Sequence, residues 1–366
     1  MMKNTLRAAV AVAAVLVPLW GTPMVASAQR DTARLAPASA RVHVVATGGT
    51  ISNRAGGRLT AEEIAALAPG LERVATLTAE QFSNTASGAL TLAQYLALAK
   101  RLNTLFREDS TLSGLVVSMG TDTMEELAWF LHLTVRDPRP VVVVGAMRNP
   151  SQVGFEGPAN FSAAVRVAAD PAARGVGTVV VLNDEINSAR EVAKTDARRL
   201  HTFSSGDYGV LGVVDGDRVA WYRRPIHRHS AASEFDVMLI DSLPRVDILW
   251  TYQGAPGDLF VAAADAGARG IIAAVAGAGA LSGTQGEGVR AVQDRGVFVA
   301  TAARAGSGRI GGGAPAVVDT TTPTGRRRAY ALSAEDHAPL KARLLLMLGL
   351  ATTSDGAELQ RLFREY

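Results

Sequence analysis

The feature that most constrains this chain is a series of short, uninterrupted runs of Val, Ile, Leu and Ala set between stretches of helical spacing. Residues 42–46, 114–117, 141–144, 178–182, 248–252, 271–275 and 297–300 read as strands. These runs show no polar alternation, so each must be covered on both faces, the condition of a mostly parallel sheet with helices above and below. Helical spacing occupies 90–107, 123–135, 160–169, 259–266 and 288–294. The order predicts an α/β fold. Between Tyr222 and Pro244 the apolar rhythm breaks, with Arg223, Arg224, Pro225, His227, Arg228 and His229 close together. That break predicts a connector, 222–244, between a larger N-terminal α/β domain, 41–221, and a smaller C-terminal α/β domain, 245–366. A length of 366 residues suits two domains at about 150 residues each.

The absence of Cys excludes disulfides, thiolate metal sites, iron–sulfur clusters and a Cys nucleophile together. The 37 basic residues barely outnumber the 34 acidic ones, and no concentrated basic block stands ready for a phosphate backbone, which argues against nucleic acid as a partner. Residues 1–28 have the three regions of a secretory signal. Lys3 and Arg7 come first, then an apolar run from Ala8 to Trp20, then Ala26-Ser27-Ala28 as a small-residue cleavage site. The run is short and contains Pro18, which disfavours a membrane anchor. No later segment is apolar and long enough to span. The expected location is periplasmic or secreted.

In open parallel sheets ligands bind beyond the carboxyl ends of strands, where loops converge. Two motifs occupy such positions: Thr47-Gly48-Gly49-Thr50-Ile51 after the first strand and Gly120-Thr121-Asp122-Thr123-Met124-Glu125-Glu126 after the 114–117 strand. Paired glycines let the backbone turn sharply. Asp122 or Thr123, with acidic residues following, also suits an ordinary helix N-cap.

Taken in order, these motifs with Gly145-Ala146-Met147-Arg148, Arg190-Glu191-Val192-Ala193-Lys194-Thr195, Asp207-Tyr208-Gly209-Val210-Leu211-Gly212, Phe235-Asp236-Val237, Leu243-Pro244 and the terminal Leu362-Phe363-Arg364-Glu365-Tyr366 resemble the bacterial L-asparaginase/glutaminase family. The resemblance covers nearly all of the chain beyond the leader. It implies a two-domain amidohydrolase, without metal or cofactor, that hydrolyses the side-chain amide of asparagine, or of glutamine or a related small amide, through a threonine acyl-enzyme. By the same resemblance Thr50 is the nucleophile, and Thr121, Asp122 and Lys194 form a second catalytic group. Ser87 falls where the substrate's α-carboxylate is held, and Asp122 where its α-ammonium is held. A homotetramer built as a dimer of dimers is also implied. The chemistry agrees in outline: a threonine hydroxyl needs an adjacent base. Lys194 could take the proton with Thr121 as relay, while Asp122 would favour the ammonium form, so the identity of the base stays open. N–H groups near Gly49 and Gly120 could hold the tetrahedral oxyanion.

The sequence also departs from the family. Leu59 stands where a lid tyrosine is usual, and the lid itself, Ser52 to Arg58, is short. Gly88 and Ala89 follow Ser87 where an acid is usual, Met119 replaces a common histidine, and Ala280 occupies the place of an asparagine lent by the neighbouring subunit. No acid is evident in 307–313. The residues therefore leave two other readings beside an altered amidohydrolase: a catalytically weak exported amino-acid-binding protein, or a deacylase of a different amide or ester, with Arg54 and Arg58 favouring an acidic group. An amidotransferase subunit on the same fold conflicts with the export signal. Protein recovered from a secreting host is expected to start near Gln29 by N-terminal sequencing; Met1 on exported material would contradict the leader.

Overall fold

The computed structural model describes residues 40–312 and 318–366, so the expected leader, 1–28, lies outside the described residues. The N-terminal sheet has eight strands: β1 (Arg41–Gly48), β2 (Thr76–Thr85), β3 (Gly114–Ser118), β4 (Val141–Val144), β5 (Thr178–Leu182), β6 (Glu185–Ser188), β7 (Gly212–Val214) and β8 (Val219–Trp221). Their spatial order is β8-β7-β6-β5-β4-β3-β1-β2. The pairs from β2 through β5 are parallel, and those from β5 to β8 antiparallel. The turn between β5 and β6 is Asn183-Asp184, both at positive φ, 54° and 61°. This is the two-residue hairpin geometry that Asn and Asp tolerate.

Successive residues of each run serve opposite faces. Val45, Leu115, Val117, Val141, Val143 and Val180 enter one core, while Val44, Ala46, Val116, Val142, Val144 and Val179 enter the other. Of the helices α1 (Ala61–Ala65), α2 (Leu92–Glu108), α3 (Met124–Thr134) and α4 (Gly157–Ala169), α2 and α3 cover the first face and α4 the second. Continuous apolar runs are thus explained by two-sided burial.

The C-terminal sheet is β9 (Val246–Trp250), β10 (Gly270–Val275), β11 (Phe298–Ala303) and β12 (Ala331–Ser333), parallel throughout and in sequential order. Its helices are α5 (Asp258–Asp265), α6 (Gln285–Gln293), α7 (Pro323–Ala329), α8 (Pro339–Thr352) and α9 (Gly356–Glu365). The intervening stretch, after Trp221 and before Val246, carries the single-turn helices Ser230–Ala232 and Val237–Leu239.

Several elements escape a reading based on Val/Ile runs. Strand β2 lies at the sheet edge with mixed exposure, and its sequence, TLTAEQFSNT, is accordingly mostly polar. Helix α8 is buried almost all round, so it has no amphipathic period to detect. Its burial has a cause: α8 lies between the two sheets and shares one core with α3. At that junction Trp129 of α3 donates from Nε1 to the Lys341 carbonyl of α8 at 3.0 Å. Its ring lies between His132 and His337, each with its centroid 5.7 Å away. Burial holds both imidazoles neutral, His337 being pushed down to about 3. Trp129→Ala is expected to lower the denaturant midpoint by the equivalent of about 3–5 kcal/mol, measured by chemical unfolding; an unchanged midpoint would mean that this junction does not bear on stability.

Candidate active site

The strand order reverses between β1 and β3, since β2 lies on one side of β1 and β3, β4 and β5 on the other. In open α/β sheets the ligand crevice lies outside the carboxyl ends at such a point. Here the strand ends meet at backbone distance. Gly48 and Gly49 have φ of 107° and 84°, a region that disfavours side chains. A Cβ on Gly49 would lie 2.0 Å from the Gly120 nitrogen, and one on Gly48 2.4 Å from the Thr85 nitrogen. A Cβ on Gly120 would lie 2.8 Å from Ser87 Oγ. The loops after β1, β2 and β3 are therefore in contact, and bring Thr50, Ser87 and Thr121 to one edge.

Thr50 begins a single 3-10 turn, Thr50–Ser52, and is half-buried, between the close-packed Gly49 and the buried Ile51. The Gly49 carbonyl accepts from Ser52 Oγ at 2.9 Å and from Arg58 Nη1 at 3.3 Å. The Gly49 N–H donates to the Thr85 carbonyl at 2.8 Å, so it is already engaged and cannot also serve the oxyanion in this arrangement.

Thr121 is buried and Asp122 exposed, in the 3-10 turn Thr121–Thr123 that leads into α3. Neither Asp122 nor Thr123 caps the helix with its side chain. Asp122 Oδ1 instead accepts from Lys194 Nζ at 2.7 Å, and Nζ lies 3.1 Å from Thr121 Oγ1. Lys194 sits on a two-strand ribbon, Ala193–Lys194 against Phe203–Ser204. Its side chain is 15% exposed and that of Asp122 80%, so the lysine is anchored while most of the carboxylate still faces water. The Lys194 N–H donates to Glu125 Oε1 at 3.3 Å. In the sequence Glu125 stands only as a first-turn charge; its spacing of one helical turn from Thr121 is the signal that places it beside the site.

The departures also have structural explanations. Leu59 is buried in the core on the α4 side of the sheet, and its N–H bonds the Ser52 carbonyl at 2.7 Å. It is a packing residue, and the chain between is a small hairpin, Asn53–Arg54 against Gly57–Arg58. Gly88 and Ala89 are exposed. Ala280 is exposed on a tight turn whose ends pair, Ala276 with Ala280. Residue 313 lies outside the described residues. Among the described residues no group of three or more metal-ligating side chains is close enough to hold an ion, and no helix is long and apolar enough to cross a membrane.

With this geometry in view, residues 41–227 match the family described as Asparaginase, N-terminal, and 245–363 the Glutaminase/Asparaginase C-terminal domain. L-asparaginase 2 of Bacillus subtilis is 37% identical over 339 residues, covering 89% of this chain and 86% of the relative. Glutaminase-asparaginase of Pseudomonas fluorescens is 34% identical, covering 89% and 91% respectively. A protein of Haemophilus influenzae named as a probable periplasmic L-asparaginase is 33% identical, covering 89% and 93%. The crystal structure of a probable cytoplasmic L-asparaginase from Campylobacter jejuni superposes with a TM-score of 0.81 at 36% identity, over 89% of this chain and all of that one.

The contact between strand ends leaves no room for a side chain at position 49. Gly49→Ala is therefore expected to lose nearly all amide hydrolysis and to melt at a lower temperature. Ammonia release and a thermal melt check this; a variant with wild-type rate would mean that the crevice tolerates separation of its two loops.

Proposed function

The chain belongs to the asparaginase/glutaminase family and is an asparaginase-type amidohydrolase, and from that premise we propose that Thr50 is its nucleophile, served by a relay of Thr121 and Lys194. The observation that carries the proposal is the contact of Lys194 Nζ with Thr121 Oγ1 and Asp122 across 73 and 72 positions of chain, at the edge where Gly49 rests on Gly120.

Thr50 Oγ attacks the side-chain amide carbon, and the hydroxyl proton passes through Thr121 to Lys194, which acts as general base in its neutral form, its amine donating to Asp122 and accepting from Thr121. Negative charge on the former carbonyl oxygen is met by main-chain N–H groups at the strand ends, Gly120 among them. Collapse of the tetrahedral species breaks the C–N bond and returns the proton to the departing ammonia. Water then attacks the threonine ester, with the same relay removing its proton, and releases the acid. Ser87, against Gly120, binds the substrate carboxylate, and Asp122, with most of its carboxylate exposed, binds the ammonium while steadying Lys194.

The substrate is asparagine or a related small amide, taken by a shell more open than usual. A Cβ on Gly88 would meet no atom within 4 Å, and the Leu59 side chain is committed to the core. Fewer hydrogen-bonding groups leave fewer groups unpaired when an analogue binds, so discrimination weakens. Export through the leader and assembly as a homotetramer complete the proposal.

Thr50→Ala, Thr121→Ala and Lys194→Met are each expected to reduce ammonia release from Asn by roughly 10²–10⁴-fold. Pairs should be little worse than single variants, because residues acting as one unit fail together. An unchanged rate for Thr50→Ala across Asn, Gln and a panel of amides and esters would remove it as nucleophile. Saturable binding of Asp without turnover by the unaltered protein would identify a binding protein instead.

A further inference from the structure

Away from the crevice, a single lysine ties the C-terminal domain to the segment that carries Lys194. Lys341, on α8, is 2% exposed. Its Nζ donates to the carbonyls of Ala189 and Val192 at 2.5 and 2.6 Å. Those carbonyls belong to the turn between β6 and Lys194. Within the turn the Glu191 and Val192 N–H groups both bond the Ser188 carbonyl, at 3.1 and 2.9 Å. Two residues past Val192 comes Lys194, with its N–H on Glu125 and its Nζ on Thr121. The main-chain carbonyl of Lys341 meanwhile accepts from Trp129 of α3, the helix that begins directly after Thr121-Asp122-Thr123. One residue therefore holds both the helix behind Thr121 and the turn before Lys194.

A charge at this depth is expensive; an apolar residue of similar length would fill the space without the desolvation penalty of several kcal/mol. Burial pulls the amine down to about 7, opposed by Glu125 on α3 and Glu191 on the turn and assisted by Arg190. The turn is fastened on either side as well. Arg190 bonds the Tyr366 carbonyl at 2.6 Å and grips Asp336 with both terminal nitrogens, while Glu191 pairs with Arg223. Removing the Lys341 amine alone would free the Ala189 and Val192 carbonyls and leave these outer bonds in place.

We propose that Lys341 is a positioning residue for the hydrolysis: by clamping the 189–192 turn it keeps Lys194 on Thr121, and so makes turnover depend on a group of the C-terminal domain that touches neither substrate nor Thr50. This rests on the reading of Lys194 as part of the proton relay. A displaced relay slows the chemical step and leaves the Ser87 side of the substrate site intact, so kcat should suffer and KM should not.

The test is Lys341→Met, assayed for ammonia release from Asn well below its melting temperature. We expect kcat to fall by about 10- to 100-fold with KM changed by less than about 2-fold, as for a misplaced relay. Because the chain has no Cys, Lys341→Cys carries one thiol, which can be alkylated in denaturant before refolding. Bromoethylamine restores an amine at the right length, and iodopropane installs its uncharged isostere. The amine should recover most of kcat and the propyl group should not. Equal recovery by both, or wild-type kcat in Lys341→Met, would overturn the proposal in favour of packing alone. Lys194→Met run beside them separates the two ideas: a wild-type rate there removes the relay itself, whereas a loss there with none in Lys341→Met removes only the clamp.

Discussion

Everything at the crevice depends on the backbone of Gly49 lying directly on that of Gly120. Two parallel strands diverge at the point where the strand order reverses, and the gap between their loops ordinarily opens into a binding site. In this protein the gap is closed at its base by two residues without side chains. A Cβ at either position would meet main chain or Ser87 within 3 Å. The hydroxyls on the following residues, Thr50 and Thr121, are thereby brought to adjacent loops although 71 positions of chain separate them, and Ser87 joins them because the loop after β2 presses on the same glycine.

The opposite wall is held by a different kind of interaction. Lys194 arrives on a short ribbon beyond the antiparallel part of the sheet, and nothing in the sheet ladder itself aims it at Thr121. Its direction comes from polar bonds: the buried Glu125 to its N–H, the buried Thr121 and the exposed Asp122 to its amine, and the turn before it fastened from α8. Buried polar bonds of this kind are directional and costly to leave unmade, so they fix an angle that apolar packing would leave loose. The junction of α3 with α8 supplies the rigid body on which those bonds are mounted.

The sequence announces some of this and conceals the rest for physical reasons. The core strands and the helices that cover them are legible because two-sided burial demands continuous apolar runs. The edge strand β2 is not, since exposure admits polar residues, and α8 is not, since burial on every side erases the helical period. At the site, Thr50, Thr121, Asp122 and Lys194 stand in short motifs whose order along the chain carries the information. Glu125 stands in one of those motifs yet reads as a helix-dipole charge, because its partner is a main-chain N–H and such partners leave no mark in sequence. Lys341 is hidden for the same reason: both of its acceptors are carbonyls, and any residue types could surround them. The Gly49 N–H shows the converse, a donor that sequence position suggests for an oxyanion and that the Thr85 carbonyl already occupies.

These contrasts bear on why the reaction class is clearer than the substrate. The relay hydroxyl of Thr121 and the Ser87 proposed to hold the substrate carboxylate are fixed by buried contacts that constrain one another: each is 4% exposed, and moving either means moving a strand end. The positions that would recognise the rest of the substrate, Gly88, Ala89 and Ala280, are exposed and make no such commitments. Substitution at exposed sites away from special backbone geometry changes stability little, so those positions can drift toward another ligand while the fold stays as it is. Leu59 is the exception that defines the rule. Its apolar side chain is drawn into the core, and a phenol there would have to leave that core before it could reach Thr50. A change of substrate shell at Gly88 or Ala280 is thus reversible by a single residue, whereas a lid tyrosine could return only with a rebuilt Ser52–Leu59 loop.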